Sequence, residues 1–275
     1  MTGSDRGFAS FTAGRAEGEP LDIDRPPTAG QMSVAEDPTV FHITHYKAGS
    51  RWIHRILKRC VGERLLAVQA DRRELLEEPI HRGRVYSACY VTKPEFDALE
   101  VPSDSRRFVI IRDPRDTLVS GYFSLKGSHP KYKNDAVAAM RDRLQGMDLA
   151  DGLIHTLEDW LPANVEIQRS WIEASEPIIR FEDLLKDDRG ILEDVLLDRC
   201  ELGVPRRRLR KAIERASFER LSGGRQRGDE DTTAHYRKGV AGDWRNYFSE
   251  PLKEAFKETY GGLLIKAGYE RDADW

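Results

Sequence analysis

Two apolar runs each end in a short basic turn and then give way to a helical pattern, and this repeated unit constrains the fold more than any other feature. In the first, Thr39-Val40-Phe41-His42-Ile43-Thr44 leads into Lys47-Ala48-Gly49-Ser50-Arg51-Trp52, after which Ile53, Ile56, Leu57 and Cys60 recur at helical spacing. In the second, Phe108-Val109-Ile110-Ile111 leads into Arg112 through Ser120, again followed by a helix-like stretch. A strand, a tight basic loop and a helix place backbone N–H groups and a helix N-terminus around a phosphate-like anion. A third basic segment, Arg237-Lys238-Gly239, lies far downstream. Together the three suggest a ligand with separated anionic groups.

The rest of the chain continues the alternation. Strands are predicted at Val40–Thr44, Arg84–Val91, Arg107–Ile111 and Pro177–Phe181, as Val/Ile-rich runs without clean polar alternation, which suits the interior of a parallel sheet. Helices are predicted over 115–126, 135–147, 151–174, 189–201, 205–216 and 250–267, with Pro162 breaking or kinking the third. Thr92-Lys93-Pro94-Glu95 has the form of a capping box with a first-turn proline. The expectation is an α/β fold: one domain over 38–275 with a central, mostly parallel sheet flanked by helices. Residues 1–37, rich in Gly, Pro, Ala, Asp and Glu, read as a flexible leader. The polar, Gly-rich Ser222–Asp231 stretch reads as a loop that delivers Arg237-Lys238-Gly239 across a cleft.

Charge argues by position rather than by total. The chain has 44 basic and 47 acidic residues, net −3, which disfavours a globally basic nucleic-acid binder. No run has the length of a transmembrane helix, and no basic-then-apolar signal opens the chain, so no membrane partner is expected. Cys60, Cys89 and Cys200 are widely separated and join no Cys/His cluster, so no metal site is expected, and reduced thiols in a cytoplasmic protein are.

Each basic segment has its own chemistry. Lys47 supplies a mobile point charge, Gly49 permits close backbone approach and Ser50 adds a hydroxyl at the helix start. Alone, such a turn is an ordinary βα connection, and it lacks the length and order of a G-x-x-x-x-G-K-[ST] nucleotide loop. Asp113-Pro114 reads as an N-cap followed by a first-turn proline. That puts Arg112 at a strand's C-terminal end and Ser120 two turns along the next helix, where both can share one phosphate at the sheet's carboxyl edge. Arg115 and Asp116 read as a salt-bridge network tying strand to helix. In Arg237-Lys238-Gly239-Val240-Ala241-Gly242-Asp243-Trp244-Arg245-Asn246-Tyr247-Phe248, two adjacent cations before a glycine suit a phosphate clamp, and Asp243, Trp244, Asn246 and Phe248 read as its anchors.

Taken in order, the three segments resemble the sulfotransferases that use 3′-phosphoadenosine 5′-phosphosulfate (PAPS). That family's 5′-phosphosulfate loop, Tyr-Pro-Lys-Ser-Gly-Thr-Thr-Trp, is matched by His45 through Trp52, and its Arg and Ser eight residues apart by Arg112 and Ser120. Its Arg-Lys-Gly-x-x-Gly-Asp-Trp-Lys-Asn-x-Phe segment is matched almost throughout by Arg237 to Phe248. The resemblance spans about residues 39 to 266. It implies a P-loop-like phosphosulfate loop in which Lys47 contacts the bridging and sulfonate oxygens. Ala48, Gly49, Ser50 and Arg51 belong to that loop, the last three meeting the 5′-phosphate, and Trp52 stacks near the adenine. It also implies that Arg112, Ser120, Arg237, Lys238 and Gly239 hold the 3′-phosphate, with Phe181 and Phe218 near the adenine or in the core. The activity implied is in-line sulfonate transfer from PAPS to a hydroxyl or amine of a small-molecule acceptor, leaving 3′-phosphoadenosine 5′-phosphate (PAP), without a metal. The alternative is a protein of the same fold that binds PAP or PAPS without transfer. A P-loop kinase fits less well, because Lys47 precedes Gly49 and no Ser or Thr directly follows it.

Two departures stand out. The family's catalytic histidine, in a Lys-Thr-His-Leu-Pro strand end, has no counterpart in Tyr86-Ser87-Ala88-Cys89-Tyr90-Val91-Thr92-Lys93, where Cys89 or Tyr90 falls at that place. His129, in Gly127-Ser128-His129-Pro130, is the expected replacement base, with His45 and Cys89 behind it. In the family's dimer motif, Arg245, Ser249, Glu250 and Glu254 occupy the key places, with Glu250 replacing an apolar contact, so that dimer is not implied.

Overall fold

The computed structural model describes residues 37–67, 73–128 and 135–275. The leader read over 1–37 lies outside the described residues apart from Asp37, whose carboxylate pairs with Arg64 at 3.1 Å.

Five strands form one parallel sheet: β1 (Val40–Thr44), β2 (Leu65–Ala67), β3 (Val85–Cys89), β4 (Arg106–Ile111) and β5 (Ile178–Arg180). Their spatial order is β2-β3-β1-β4-β5, and every pairing is parallel. The four predicted strands are thus present within one or two residues, and "mostly parallel" becomes wholly parallel. The addition is β2, whose three residues at the sheet edge are too few for a periodic signal.

Twelve α-helices accompany the sheet among the described residues. In chain order they are α1 (Ser50–Val61), α2 (Arg73–Glu77), α3 (Lys93–Asp97), α4 (Pro114–Phe123), α5 (Asp135–Gln145) and α6 (Leu149–Asp159), then α7 (Leu161–Glu173), α8 (Phe181–Leu184), α9 (Asp188–Glu193), α10 (Arg206–Arg215), α11 (Phe218–Leu221) and α12 (Glu250–Lys266). The break expected at Pro162 falls at Trp160, which caps α6 and opens α7, with the proline in the first turn where its missing N–H costs nothing. The capping box is present: Thr92 Oγ1 accepts from the Glu95 N–H while Glu95 Oε2 accepts from the Thr92 N–H at 2.8 Å.

Strand alternation distributes the core over both faces. Val40, Phe108 and Ile110 pack with Ile53, Ile56 and Leu57 of α1 and Leu209 and Ile213 of α10. Phe41, Ile43, Val109 and Ile111 face Phe96 and the fully buried Trp171. A third cluster joins α4, α6 and α12 around Trp244. Because both faces are covered, the ends of the strands are where the sheet can present polar groups, and its carboxyl edge carries the basic loops.

Candidate active site

Neighbouring strands fix the order of the site. Thr44 pairs with Ile110, Ile43 with Cys89 and Ile111 with Arg180. The residues just past these strand ends are therefore laid side by side along the carboxyl edge: Tyr90, Lys47, Arg112 and Phe181. All four line one cavity of about 340 Å³. Open parallel sheets bind ligands at this edge.

The loop after β1 is shaped for an anion. Lys47 (φ 69°) and Gly49 (φ 83°) both adopt the left-handed conformation, which turns successive N–H groups towards one side. Helix α1 then begins with no acidic residue and no side-chain cap in its first turn, leaving its opening N–H groups without intrahelical partners. A Cβ on Gly49 would lie 2.8 Å from Phe181 Cε2, so the position takes only glycine without displacing that ring. Arg112 Nη1 donates to the Lys47 carbonyl at 3.1 Å and thereby ties the two basic loops together. Gly49, Ser50, Arg51 and Trp52 line the cavity with Lys47. Ala48 is instead fully buried and forms no part of the wall.

Across the cavity lie Ser120 on α4 and the strap Arg237-Lys238-Gly239. Lys238 Nζ donates to Asp243 Oδ1 at 2.7 Å, and Arg237 pairs with both Asp243 and Glu230. Burial works to raise the Asp243 pKa, but hydrogen bonds from Lys238, Arg237 and Asn246 carry it below the usual carboxylate range. Asp243 is an anchor, as its place in the sequence suggests, and Trp244 and Phe248 fill the core beneath it.

The network expected of Arg115 and Asp116 does more than tie strand to helix, and that reading is corrected. Asp116, fully buried, accepts from the backbone N–H groups of Gly242 (2.7 Å) and Trp244 (2.9 Å), so it docks the strap. Arg115 lies between the rings of Trp244 (4.1 Å) and Trp275 (4.4 Å) and bonds Asp113 and Glu270, joining the C-terminal residues to the same framework. Sequence spacing of three or four residues shows only local pairs such as Arg115 with Asp113, and Gly242, Trp244, Glu270 and Trp275 lie more than a hundred residues away.

Aromatic side chains close the remaining sides. Trp52 meets Phe181 edge to face, centroids 6.0 Å apart, and the Arg112 guanidinium sits 4.8 Å over the Phe181 ring. Phe218 lies where a Cβ on Gly239 would be, so the strap's glycine is what lets the ring approach. Both phenylalanines line the cavity, and Phe181 also packs in the core with Trp52 and Leu184. Two cationic groups thus flank an aromatic slot.

Comparison with known proteins gives the family. The family model described as "Sulfotransferase domain" matches residues 37–268. The chain belongs to the sulfotransferase family. It is 24% identical over 261 residues to guinea pig (Cavia porcellus) 3-alpha-hydroxysteroid sulfotransferase, covering 86% of each chain. It is also 24% identical over 260 residues to human sulfotransferase 2A1, covering 82% of this chain and 84% of that one. Among solved structures, mouse sulfotransferase SULT7A1 complexed with PAP superposes with TM-score 0.58 at 18% identity, over 85% of this chain and 87% of that one. Retinol dehydratase in complex with androsterone and PAP gives 0.52 at 16% identity, over 82% and 80%.

In this sulfotransferase the acceptor-side base is not where two of the candidates would put it. His45 is buried, with Nδ1–H donating to the Tyr46 carbonyl (2.9 Å) and Nε2 accepting from the Arg112 N–H (3.2 Å). Burial lowers its pKa to about 4, so it is a neutral strut between the two basic loops. Cys89 is fully buried among Phe41, Tyr86 and Phe96, and burial alone pushes its thiol far above the ordinary value, which removes it as a base. His129 lies outside the described residues.

The residue that does reach the cavity from β3 is Tyr90. Its hydroxyl donates to Ser50 Oγ at 2.9 Å, and its ring stacks on Tyr46 at 4.2 Å. Burial raises its pKa to about 12, so it is a hydrogen-bonding phenol at neutral pH rather than a base. Tyr46, His235 and Tyr236 also line the cavity and were not singled out from sequence. Their signal is weak: none is charged at neutral pH as the neighbouring Lys47, Arg237 and Lys238 are, so nothing in the residue type alone marks them as part of an anion site. Lys47 is set apart electrostatically. Burial, then the charges of Arg112, Arg237 and Arg51, lower its pKa to about 7.

Proposed function

We propose that this sulfotransferase moves a sulfonate group from PAPS to a hydroxyl or amine of a small-molecule acceptor. The observation that carries the reading is the pairing of two separated cationic groups across one aromatic slot: Lys47 with the α1 N-terminus, and Arg112 with Arg237 and Lys238. A nucleotide with a phosphosulfate at one end, a phosphate on its ribose and a flat base has that shape. The residues have capacity to spare for it. Arg112 Nε, Arg237 Nε and Trp52 Nε1 are buried donors without hydrogen-bond partners, a situation that is costly unless a ligand or water supplies the acceptor.

The nucleotide supplies an activated sulfonate and a good leaving group. The chain's own contribution is electrostatic. The Lys47 ammonium and the N–H groups of Gly49, Ser50 and Arg51 neutralise charge that develops on the departing 5′-phosphate, which favours the transition state over the ground state. Ser120, Arg237, Lys238 and Gly239 hold the 3′-phosphate and so fix the sulfonate against the acceptor side. Trp52, Phe181 and Phe218 enclose the adenine. His129 is the sequence-derived acceptor-side base. The relatives named for hydroxysteroids, and the retinol dehydratase complex with androsterone, support an acceptor with an apolar body. A cytoplasmic setting is supported by three free, buried cysteines.

The second reading, donor binding without transfer, is favoured by one observation: Tyr90, not a histidine, reaches the cavity from β3. One experiment separates the two. PAP should raise the melting temperature more than ATP–Mg²⁺ under either reading. Release of PAP from PAPS that depends on an added hydroxysteroid or phenol supports transfer, and PAP binding with no acceptor-dependent release supports the binding protein.

A further inference from the structure

Two neighbouring helices together form a strongly basic ridge. Helix α1 carries Arg51, Arg55, Lys58 and Arg59 and no acid, and α10 carries Arg206, Arg207, Arg208, Arg210, Lys211 and Arg215 against the single acid Glu214. All but Arg215 are exposed. This lies on a chain whose net charge is −3.

The two helices run antiparallel. Arg208 Nε donates to the Arg59 carbonyl at 3.0 Å at one end, whereas Arg51 and Ala216 both line the nucleotide cavity at the other. The ridge therefore starts at the cavity and leads away from it.

Helix stability does not account for this charge. Lys58 and Arg59 lie in the last turn of α1, where cations suit the helix dipole. Arg51 lies in the first turn of α1, and Arg206, Arg207 and Arg208 open α10 with no acid among them, where cations oppose the dipole. Local pairing is also limited: Glu193 and Asp198 engage Arg206 and Glu193 engages Arg210, Arg208 reaches the Arg59 carbonyl, and Arg51, Arg55, Lys58, Arg59 and Arg207 have no carboxylate partner among the described residues. The field is felt within α1 itself, where burial and then Lys58, Arg55 and Arg51 lower the pKa of His54.

We propose that the α1–α10 ridge is an electrostatic approach path for the donor nucleotide, which it collects as a polyanion and passes to the cavity at the Arg51 end. This deepens, and rests on, the PAPS-site reading. The partner is a small, multiply charged anion because the ridge is continuous with a cavity that already fits one. Clefts bordered by one sign of charge raise the association rates of oppositely charged ligands by one to three orders of magnitude, with a steep dependence on ionic strength.

The test is the association rate of fluorescently tagged PAP, followed by stopped flow over a range of salt. The variant Arg55→Gln/Lys58→Gln/Arg59→Gln/Arg207→Gln replaces no residue that lines the cavity. The control Arg82→Gln/Arg143→Gln/Arg169→Gln/Lys266→Gln removes the same charge from exposed positions elsewhere. At low salt the ridge variant should bind about tenfold more slowly, with a flattened dependence of log rate on ionic strength and an unchanged dissociation rate. The control should keep the parent's salt dependence. Equal slopes for the two variants, or a change confined to dissociation, overturn the proposal. So does a ridge variant that binds PAP at the parent's rate but loses affinity for DNA or anionic vesicles, which would assign the ridge to a macromolecule. Failure of the unaltered chain to bind PAP at any salt is a different outcome: it removes the donor-site reading and the ridge's role with it.

Discussion

PAP binding should consume a proton above neutral pH, and the proton should go to Lys47. Burial and the neighbouring guanidinium groups of Arg112, Arg237 and Arg51 bring this lysine from 10.5 down to about 7. The phosphates of the nucleotide would neutralise those same guanidinium groups and attract the ammonium directly, so the bound state holds its proton to a higher pH. The sign follows: below pH 7 both states are protonated and Lys47 adds no pH dependence. Above it the empty site has lost the proton that the complex must recover. Affinity should then fall by up to tenfold per pH unit, about 1.4 kcal/mol, until the bound-state pKa is reached. That slope is a ceiling, since the side chain is partly open to the cavity and water screens it. Titration calorimetry of PAP at pH 8.5 in buffers of different ionisation enthalpy counts the proton; the expected uptake approaches one, against none at pH 6. The Lys47→Met variant should bind more weakly and show no uptake. An uptake that persists in that variant, or is absent from the unaltered chain at pH 8.5, refutes the reasoning.

Three other outcomes test the site from different sides. Gly49→Ala must place an L side chain in the left-handed region, costing about 1–2 kcal/mol, and push against Phe181; PAP affinity measured by calorimetry should fall by about tenfold or more. Glu230 occupies the Arg237 guanidinium that the 3′-phosphate would use, so Glu230→Gln should tighten PAP binding by about fivefold, equivalent to ~1 kcal/mol for a partly exposed pair. Weaker binding instead would show that Glu230 orients Arg237. If His129 takes the acceptor's proton, His129→Ala should lower the transfer rate on the order of a hundredfold with PAP affinity intact, and a rate within a few-fold of the parent sinks that assignment.

The parts of the site that were legible in the sequence are those in which chemistry is local. Lys47, Gly49 and Ser50 lie within four residues at a strand-to-helix junction, and Asp113-Pro114 announces the start of α4 just after Arg112. Such junctions are set by propensity, capping and the left-handed glycine, all short-range effects. What stayed hidden depends on distant partners. Nothing near Asp116 reveals that it receives the N–H groups of Gly242 and Trp244, and nothing near Arg115 points to Trp275. His45 looked available beside a reactive loop, yet Gln168 of α7 and the Arg112 backbone both reach its Nε2.

That strands would end in basic loops on one edge of a parallel sheet was readable from the chain alone, because apolar runs without alternation must be covered on both faces and the polar turns must then lie at their ends. The sequence could not decide between Cys89 and Tyr90. Strict alternation along β3 would put Tyr86 and Cys89 on opposite faces, but both lie in the same core cluster. The pairing slips by one residue between Phe41 and Ile43, with Ala88 at φ 62°. That extra residue sends Cys89 inward and Tyr90 into the cavity. A bulge is a bargain between two strands and the layers packed on them, and only the tertiary structure contains all the parties to it.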